Sequence, residues 1–212
     1  TYEPVYLWLG VTDAHGRMVA ATDPSVIGQD YSRSGWFDRV RQTGVVRVDE
    51  VEVHESSSKI ESVAFTAPIM SASGQFLGAV TTRIGLPMLE EVLIETVREI
   101  QQTDGIAGPF EYQFLTKAGV VFVDSVAAEG ERVNLKEAGL PSVQLSRSGK
   151  AGYVEETHAR RHVPVVTGYA QTNGYSDYSG LQWTILLRMD RDVILLPIRA
   201  MMWKLGMAGV VV

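Results

Sequence analysis

The fold can be inferred from one segment, Leu9-Gly10-Val11-Thr12-Asp13-Ala14-His15-Gly16-Arg17-Met18-Val19-Ala20, and from its counterpart, Phe114-Leu115-Thr116-Lys117-Ala118-Gly119-Val120-Val121-Phe122-Val123. Each consists of a β-rich run, a polar turn that contains glycine, and a second β-rich run, which is typical of a hairpin. Later in each half, residues 64–69 with 78–84 resemble residues 165–170 with 183–189. This repeat predicts an α+β fold made of two tandem modules, each with a central antiparallel sheet.

Turn residues separate the β-rich runs that form the predicted hairpins. Asp13-Ala14-His15-Gly16 lies between 6–12 and 17–21, Ser71-Ala72-Ser73-Gly74 between 63–69 and 76–84, and Thr116-Lys117-Ala118-Gly119 between 112–115 and 120–123. A helix is predicted over 87–103, because apolar residues recur there at steps of three and four and a proline begins the segment. The Gly/Pro-rich residues 104–109 follow. We therefore expect one module at 1–103, a second at 104–196, and a separate terminal segment at 197–212.

The composition excludes several classes of protein. Hydrophobic residues make up 45% of the 212 residues and the net charge is only −6, which is incompatible with intrinsic disorder. The absence of cysteine excludes disulfides and thiolate metal sites. An acidic chain without a basic stripe is not expected to bind nucleic acid.

No catalytic, metal or cofactor site is predicted. His158 and His162 have the spacing of metal ligands, with Glu155 and Glu156 just upstream, but two arginines separate them and strand-like runs flank them. This segment is therefore interpreted as a solvated hairpin tip. His54-Glu55 lacks the second histidine of a zinc-protease motif, and residues 28–35 lack the lysine and glycine spacing of a phosphate-binding loop.

The remaining motifs carry a family resemblance over essentially the whole chain. Ile27-Gly28-Gln29-Asp30-Tyr31-Ser32-Arg33-Ser34-Gly35-Trp36-Phe37-Asp38-Arg39-Val40, followed by Ala67-Pro68-Ile69 and Leu77-Gly78-Ala79-Val80, resembles the membrane-distal module of a double Cache domain. Ser148-Gly149-Lys150-Ala151-Gly152-Tyr153 and Gly180-Leu181-Gln182-Trp183-Thr184-Ile185-Leu186 resemble elements of its membrane-proximal module, and Leu196-Pro197-Ile198 resembles its approach to a membrane helix. These PAS-like domains are the extracytoplasmic sensors of bacterial chemoreceptors, histidine kinases and cyclic-di-GMP enzymes.

The resemblance implies a small-molecule sensor on the periplasmic side of the bacterial inner membrane that forms a homodimer in its receptor. It also implies a long helix before the first strand, for which only five residues precede Tyr6. At the other end, Trp203-Lys204 and the uncharged residues 205–212 are interpreted as the start of a transmembrane helix, with an ordinary apolar strand or helix as the alternative. The alternative function is that of a secreted or cytosolic enzyme whose active site no motif reveals.

The resemblance also places a ligand site in the distal module. The candidate residues are Tyr31, Arg33, Ser34, Trp36, Phe37, Glu52, His54, Phe65 and Arg83. Amino-acid sensors of the family have an arginine where this chain has Ser34, with Arg33 one position away. They have a tyrosine and an aspartate where it has Glu52 and His54, and an aspartate in place of Arg83.

These departures disfavour ordinary amino-acid sensing, because Arg83 would face the ligand ammonium. An arginine in a partly desolvated cavity suits a carboxylate or phosphate, so we expect a small organic anion. Glu52 or His54 would accept a hydrogen bond from a donor group elsewhere on this ligand. Two separate alternatives remain at this point. In the first, Arg83 pairs with Glu52, and the pocket is closed or takes a neutral ligand. In the second, Trp36 is only a core aromatic residue.

Overall fold

The computed structural model describes residues 6–53, 61–104, 108–126, 132–174, 178 and 180–208. The chain divides into two compact units: Thr1–Val92 with Asn173–Leu181, and Leu93–Thr172 with Gln182–Val212. We call these the first and second unit. The predicted module limits at 103/104 and 196/197 stay a prediction.

The first unit contains a five-stranded antiparallel sheet in the order β2-β1-β5-β4-β3. Its elements are β1 (Trp8–Asp13), β2 (Met18–Ala21), a short 3₁₀ helix (Pro24–Val26), α1 (Gly35–Thr43), β3 (Arg47–Val53), β4 (Glu61–Met70) and β5 (Phe76–Gly85). Both predicted hairpins of this half form, β1 with β2 and β4 with β5. In the β4–β5 turn, Gly74 has a φ of 80°, the left-handed conformation that glycine adopts without strain.

The second unit repeats this arrangement with a sheet in the order β7-β6-β10-β9-β8. Its elements are β6 (Glu111–Leu115), β7 (Val121–Asp124), α3 (Pro141–Ser146), β8 (Gly152–Thr157), β9 (Pro164–Gln171) and β10 (Thr184–Asp190). Strands β6 to β10 therefore occupy the positions that β1, β2, β3, β4 and β5 hold in the first sheet. The predicted α+β fold of two tandem modules is confirmed.

Two further helices complete the described chain. The predicted amphipathic helix forms as α2 (Leu86–Asp104), in which Leu93 is buried but Val92 is exposed. Helix α4 (Arg191–Ala208) follows β10 directly and includes Pro197. Among the described residues, no helix combines the length and apolar character that crossing a membrane requires.

Each unit has its own apolar core. In the first unit, Phe37 and Val40 of α1 pack with Ala79 of β5, and Phe76 lies edge-on to Phe37 at 5.8 Å between ring centroids. In the second unit the core consists of Leu115, Val121, Leu135, Leu140, Val143 and Leu186. Helices α1 and α3 thus each cover part of one face of a sheet.

Candidate functional site

The candidate site lies on the face of the first sheet that α1 covers. Because side chains alternate along a strand, cross-strand register places residues of four strands in rows on this face. One row contains Trp8, Arg83, Ala64 and Asp49, and the neighbouring row contains Gly10, Thr81, Thr66 and Arg47. Ala79, which contacts Phe37 of α1, belongs to the same face.

Arg83 is the charged residue at the centre of this face, and only 4% of its surface is exposed. Its Nη1 donates to Thr81 Oγ1 and to the Thr82 carbonyl, both at 2.9 Å, and Thr81 Oγ1 also lies 2.9 Å from Thr66 Oγ1. The guanidinium carbon lies 5.4 Å from the centre of the Trp8 ring, in a cation–π arrangement. These contacts fix the orientation of the guanidinium.

No described residue accepts a hydrogen bond from the opposite edge of the Arg83 guanidinium. The buried Nε has no hydrogen-bond partner, and among the described residues Nη2 donates to none. Nε and Nη2 form the fork that grips a carboxylate with two parallel hydrogen bonds. Burial lowers the pKa of Arg83, and nearby Asp49, Tyr31 and Glu52 oppose this shift. None of them forms an ion pair with it, so the charge of Arg83 lacks a direct partner among the described residues.

Other buried polar atoms on the same face also lack hydrogen-bond partners. They are Trp8 Nε1, Arg47 Nε and Ser62 Oγ. Ser62 lies opposite Gly85, two residues beyond Arg83 on β5, and Arg47 lies opposite Thr66. An unpartnered buried polar group costs about 1–3 kcal/mol, so such groups are normally satisfied by protein, water or a ligand. Their concentration around Arg83 indicates a face prepared for a polar ligand.

The second unit provides an internal comparison, because Arg188 occupies on β10 the place that Arg83 occupies on β5. Arg188 is also buried, but the protein surrounds it with acceptors. Its Nη1 donates to Gln113 Oε1 at 3.1 Å and its Nε donates to Thr167 Oγ1 at 3.2 Å. Its Nη2 has no hydrogen-bond partner but forms an ion pair with Glu156 Oε1 at 3.7 Å. Glu156 is itself held by the Ser142 amide and hydroxyl and by Thr167 Oγ1.

The first sheet lacks these acceptors at the equivalent register positions. Leu186 and Thr81 are equivalent, since each lies two residues before the arginine of its strand. Leu186 pairs with Gln113, which supplies an acceptor to Arg188, whereas Thr81 pairs with Gly10, which has no side chain. Where Thr167 opposes Arg188, Ala64 opposes Arg83. The position of Glu156 is taken by Glu52, which is exposed and forms no ion pair with a described residue. Among the described residues, Glu156 neutralises Arg188, whereas no carboxylate forms an ion pair with Arg83.

Tyr31 lies in the segment before α1 and Trp36 in the first turn of α1, where Trp36 packs against Phe37, Val40 and Ala79. Their rings are 5.8 Å apart at the centroids, and both side chains are half-buried. Burial raises the pKa of Tyr31, and nearby Arg83 partly opposes that shift, which places the phenol within electrostatic range of the guanidinium. Ser34 Oγ donates to the Tyr31 carbonyl at 2.5 Å and so holds this segment.

The structure does not bring every predicted site residue to Arg83. Phe37 is a fully buried core residue, and Arg33 is exposed. Phe65 opposes Thr82 and therefore lies on the opposite face of the sheet from Arg83. His54 lies outside the described residues. Sequence reasoning did not identify Trp8, Arg47, Asp49, Ser62, Thr66 and Thr81, although Ser62, Thr66 and Thr81 are hydroxyl residues at inward-facing positions of β4 and β5.

One prediction about the second unit is wrong. The segment between β8 and β9 is a hairpin connection, but His158 is buried rather than solvated, with 2% of its surface exposed. Its Nε2 lies 2.7 Å from Glu111 Oε2, and its Nδ1 accepts the amides of Arg160 and Arg161 at 3.1 Å. These three partners satisfy both ring nitrogens, which is why a histidine can be buried at this position.

Structural comparison places this site in a known fold. An extracellular ligand-binding receptor from Desulfohalobium retbaense is 18% identical, with a TM-score of 0.60 over 87% of this chain and 30% of that chain. The ligand-binding domain of Pseudomonas fluorescens chemoreceptor CtaA with L-serine is 17% identical, with a TM-score of 0.56 over 88% of this chain and 74% of that one. The ligand-binding domain of Pseudomonas aeruginosa chemoreceptor PctB with L-Gln is 18% identical, with a TM-score of 0.57 over 96% and 76% of the two chains. The chain has the fold of extracellular ligand-binding domains.

The fold agrees with the double Cache resemblance in the sequence. The extracellular domain of a protein described as a histidine kinase also matches, with 15% identity and a TM-score of 0.58 over 89% of this chain and 72% of that chain. No family model and no curated protein matches the chain. The likeness to solved structures therefore defines the fold, and the chemistry of the site has to be argued from the residues of this chain.

Proposed function

We propose that this chain is an extracytoplasmic ligand-sensing domain of a bacterial membrane signalling receptor, and that its first unit binds a small organic anion through Arg83. The fold shared with extracellular domains of chemoreceptors and of a protein described as a histidine kinase supports the sensor function. The single observation that carries the ligand class is the buried, uncompensated guanidinium of Arg83. A ligand carboxylate on Nε and Nη2 would supply the counter-charge that Glu156 supplies to Arg188.

The charges of the site favour a simple organic acid over an amino acid. Structural neighbours bind L-serine, GABA or L-Gln. In this chain the carboxylate in the same row as Arg83 is Asp49, and Asp49 already forms an ion pair with Arg47. An amino-acid ammonium would have to compete with Arg47 for Asp49 and would lie close to Arg83, and like charges in a desolvated site are costly. In the two rows Arg47 and Arg83 outnumber Asp49 by one positive charge, and the nearby Glu52 is exposed to solvent, so a monocarboxylate would neutralise the charge that is buried on this face.

The ligand also meets an aromatic wall and a source of specificity. Trp8 stacks on the guanidinium, and we propose that Tyr31, before α1, and Trp36, in the first turn of α1, form the rest of an aromatic wall. Trp36 is half-buried rather than a fully enclosed core residue, which suits a side chain that contacts a ligand. Glu52 and His54 remain proposed as acceptors for a donor elsewhere on the ligand.

The receptor context completes the proposal. The solved neighbours are sensor domains rather than enzymes, and we propose no catalytic role for this region. Ligand binding favours one of two conformations, and α4, which follows β10 without a break, carries that preference towards a membrane helix in a homodimeric receptor. A coupling of about 1–3 kcal/mol is sufficient for such a signal.

The experiment is a thermal-shift screen of the purified domain against mono- and dicarboxylates, phosphate esters, amines and amino acids, followed by calorimetry of the best ligand. Arg83→Gln should weaken an organic acid about 10- to 150-fold, the loss expected when a hydrogen bond to a charged group is removed. Arg39→Gln is the matched control, because Arg39 is an exposed arginine of the same unit that is not among the candidate site residues, and it should leave affinity unchanged. Stabilisation by amines or amino acids alone, or unchanged organic-acid affinity in Arg83→Gln, would refute the ligand assignment.

A further inference from the structure

The second unit contains a pocket that the Arg83 site does not explain. It has a volume of about 270 Å³. Its lining residues come from the β6–β7 turn, the segment before α3, the end of α3, and the adjoining ends of β9 and β10: Thr116, Lys117, Gly119, Lys136, Val143, Arg147, Ser148, Gly149, Gln171, Gln182 and Thr184. Three of these residues are cations and none is an acid.

The fold brings the cations together through backbone pairing. Leu135 N donates to the Gly119 carbonyl at 2.9 Å, which ties the segment carrying Lys136 to the turn carrying Lys117. Gly119 has a φ of 91°, and a Cβ at this position would lie 2.4 Å from Lys136 Cβ. The close approach therefore requires glycine, and it places Lys117 and Lys136 on the same rim.

The polar floor of the pocket is rigid. Thr184 is buried, and its Oγ1 lies 3.0 Å from Ser146 Oγ, which donates to the Val143 carbonyl. On the neighbouring strand, Gln171 Nε2 donates to the Gln182 carbonyl at 3.1 Å. Gln182 has a φ of 57°, a left-handed conformation that is uncommon for a residue other than glycine and concentrates at functional sites.

The charges on the rim lack counter-charges from the protein. Among the residues that the structure describes, no carboxylate forms an ion pair with Lys117, Lys136 or Arg147. Like charges held around one concavity repel each other, and an anion between them removes that repulsion. At about 30 Å³ for each water-sized group, the volume accommodates roughly nine non-hydrogen atoms.

We infer that this pocket is a second ligand site, which binds a small anion with two negative charges, such as a small phosphate monoester or a dicarboxylate of at most about nine non-hydrogen atoms. Its ligand class differs from that of the first unit, where one uncompensated guanidinium suits a single carboxylate. Two anionic ligands acting on separate units would let one sensor respond to two chemical signals.

The test is calorimetry with inorganic phosphate and succinate as probes, at low ionic strength so that surface charges are weakly screened. Lys117→Gln, Lys136→Gln and Arg147→Gln should each weaken binding about threefold, as expected for exposed charge pairs, and the triple variant should weaken it about thirtyfold. Lys150→Gln is the matched control, since Lys150 is exposed and does not line the pocket. Unchanged thermal unfolding of the triple variant will show that the unit is intact.

Arg83→Gln separates this inference from the proposed function. Probe binding that persists in Arg83→Gln and weakens about thirtyfold in the triple variant supports the second site, whether or not the first site is confirmed. Three results would overturn it: binding of neither probe, equal weakening by Lys150→Gln, or loss of binding only in Arg83→Gln.

Discussion

Replacing Arg188 by methionine should destabilise the protein strongly, whereas the same replacement of Arg83 should change its stability little. Arg83→Met removes a buried charge that no carboxylate compensates, together with two hydrogen bonds of Nη1, and Thr81 Oγ1 keeps its contact with Thr66. Arg188→Met leaves Glu156 buried, with 8% of its surface exposed and no cation beside it. The two substitutions are chemically identical, so only the surroundings differ.

The expected change in the free energy of unfolding depends on whether each substitution leaves a buried charge without compensation. Removing one member of a buried ion pair costs about 3–5 kcal/mol, because the other charge stays desolvated without compensation. For a chain of this size that corresponds to a fall in melting temperature of about 6–20 °C. At Arg83 the relief of desolvation offsets the lost hydrogen bonds, and we expect the free energy of unfolding to change by less than about 1 kcal/mol.

The assay is urea denaturation followed by circular dichroism, with differential scanning calorimetry to separate the transitions of the two units. All measurements use ligand-free protein, because a bound anion would stabilise the parent through Arg83. An equal, large loss of stability in both variants would contradict this prediction, because it would mean that Arg83 is compensated within the protein.

Three further outcomes are expected. Burial lowers the pKa of His158; Arg188 and Arg161 act in the same direction, and Glu111 opposes them. Below the ordinary histidine pKa of about 6.5, the folded state therefore binds fewer protons than the unfolded state. Stability should be full above that pH and decline as the pH falls towards the folded-state pKa, and His158→Gln should flatten this part of the stability–pH curve measured by urea denaturation. Gly78→Ala should destabilise the first unit by more than about 2 kcal/mol, because φ is 156° and the new Cβ would lie 2.0 Å from the Thr12 carbonyl oxygen. Gly35→Ala is the control and should change the melting temperature little, because its Cβ would meet nothing within 4 Å. Similar losses of stability in both variants would contradict this prediction. Glu156→Gln should cost about 3–5 kcal/mol in chemical denaturation, because it leaves Arg188 without a counter-charge, and a change below about 1 kcal/mol would show that the pair is not coupled.

The fold was predictable from sequence because its signals are local. Asp13-Ala14-His15-Gly16, Ser71-Ala72-Ser73-Gly74 and Thr116-Lys117-Ala118-Gly119 each contain the glycine of a short turn between β-rich runs, and each forms the expected hairpin. The helix over 86–104 was likewise specified by apolar spacing and by a proline in its first turn.

The surroundings of Arg83 were only partly predictable, because they depend on register. A buried arginine among small and apolar strand residues was identifiable, but its neighbours come from β1, β3 and β4. The irregularity between Asp49 and Glu52 shifts the pairing of β3 with β4. Ala64, not Phe65, pairs with Arg83, so Phe65 lies on the other face of the sheet. No local pattern encodes such a shift.

His158 illustrates the same limit in the second unit. Its hairpin position predicts exposure, but its acceptor Glu111 is 47 residues earlier in the chain. The pairing of Glu111 with Arg188 in the sheet places that carboxylate where it can bind the ring. Burial of a polar group at a loop is decided by such a distant partner.

The measurement that addresses Arg83 itself is a ¹⁵N–¹H NMR titration of the arginine Nε–H groups with the organic acid that stabilises the domain most. The signals of Arg83 and Arg188 are assigned from Arg83→Lys and Arg188→Lys. The account predicts that the Arg83 Nε–H signal shifts with saturation and becomes protected from solvent exchange, while the Arg188 signal, already bonded to Thr167, stays in place. An Arg83 signal that does not move while calorimetry shows binding would contradict the claim that this guanidinium holds the ligand.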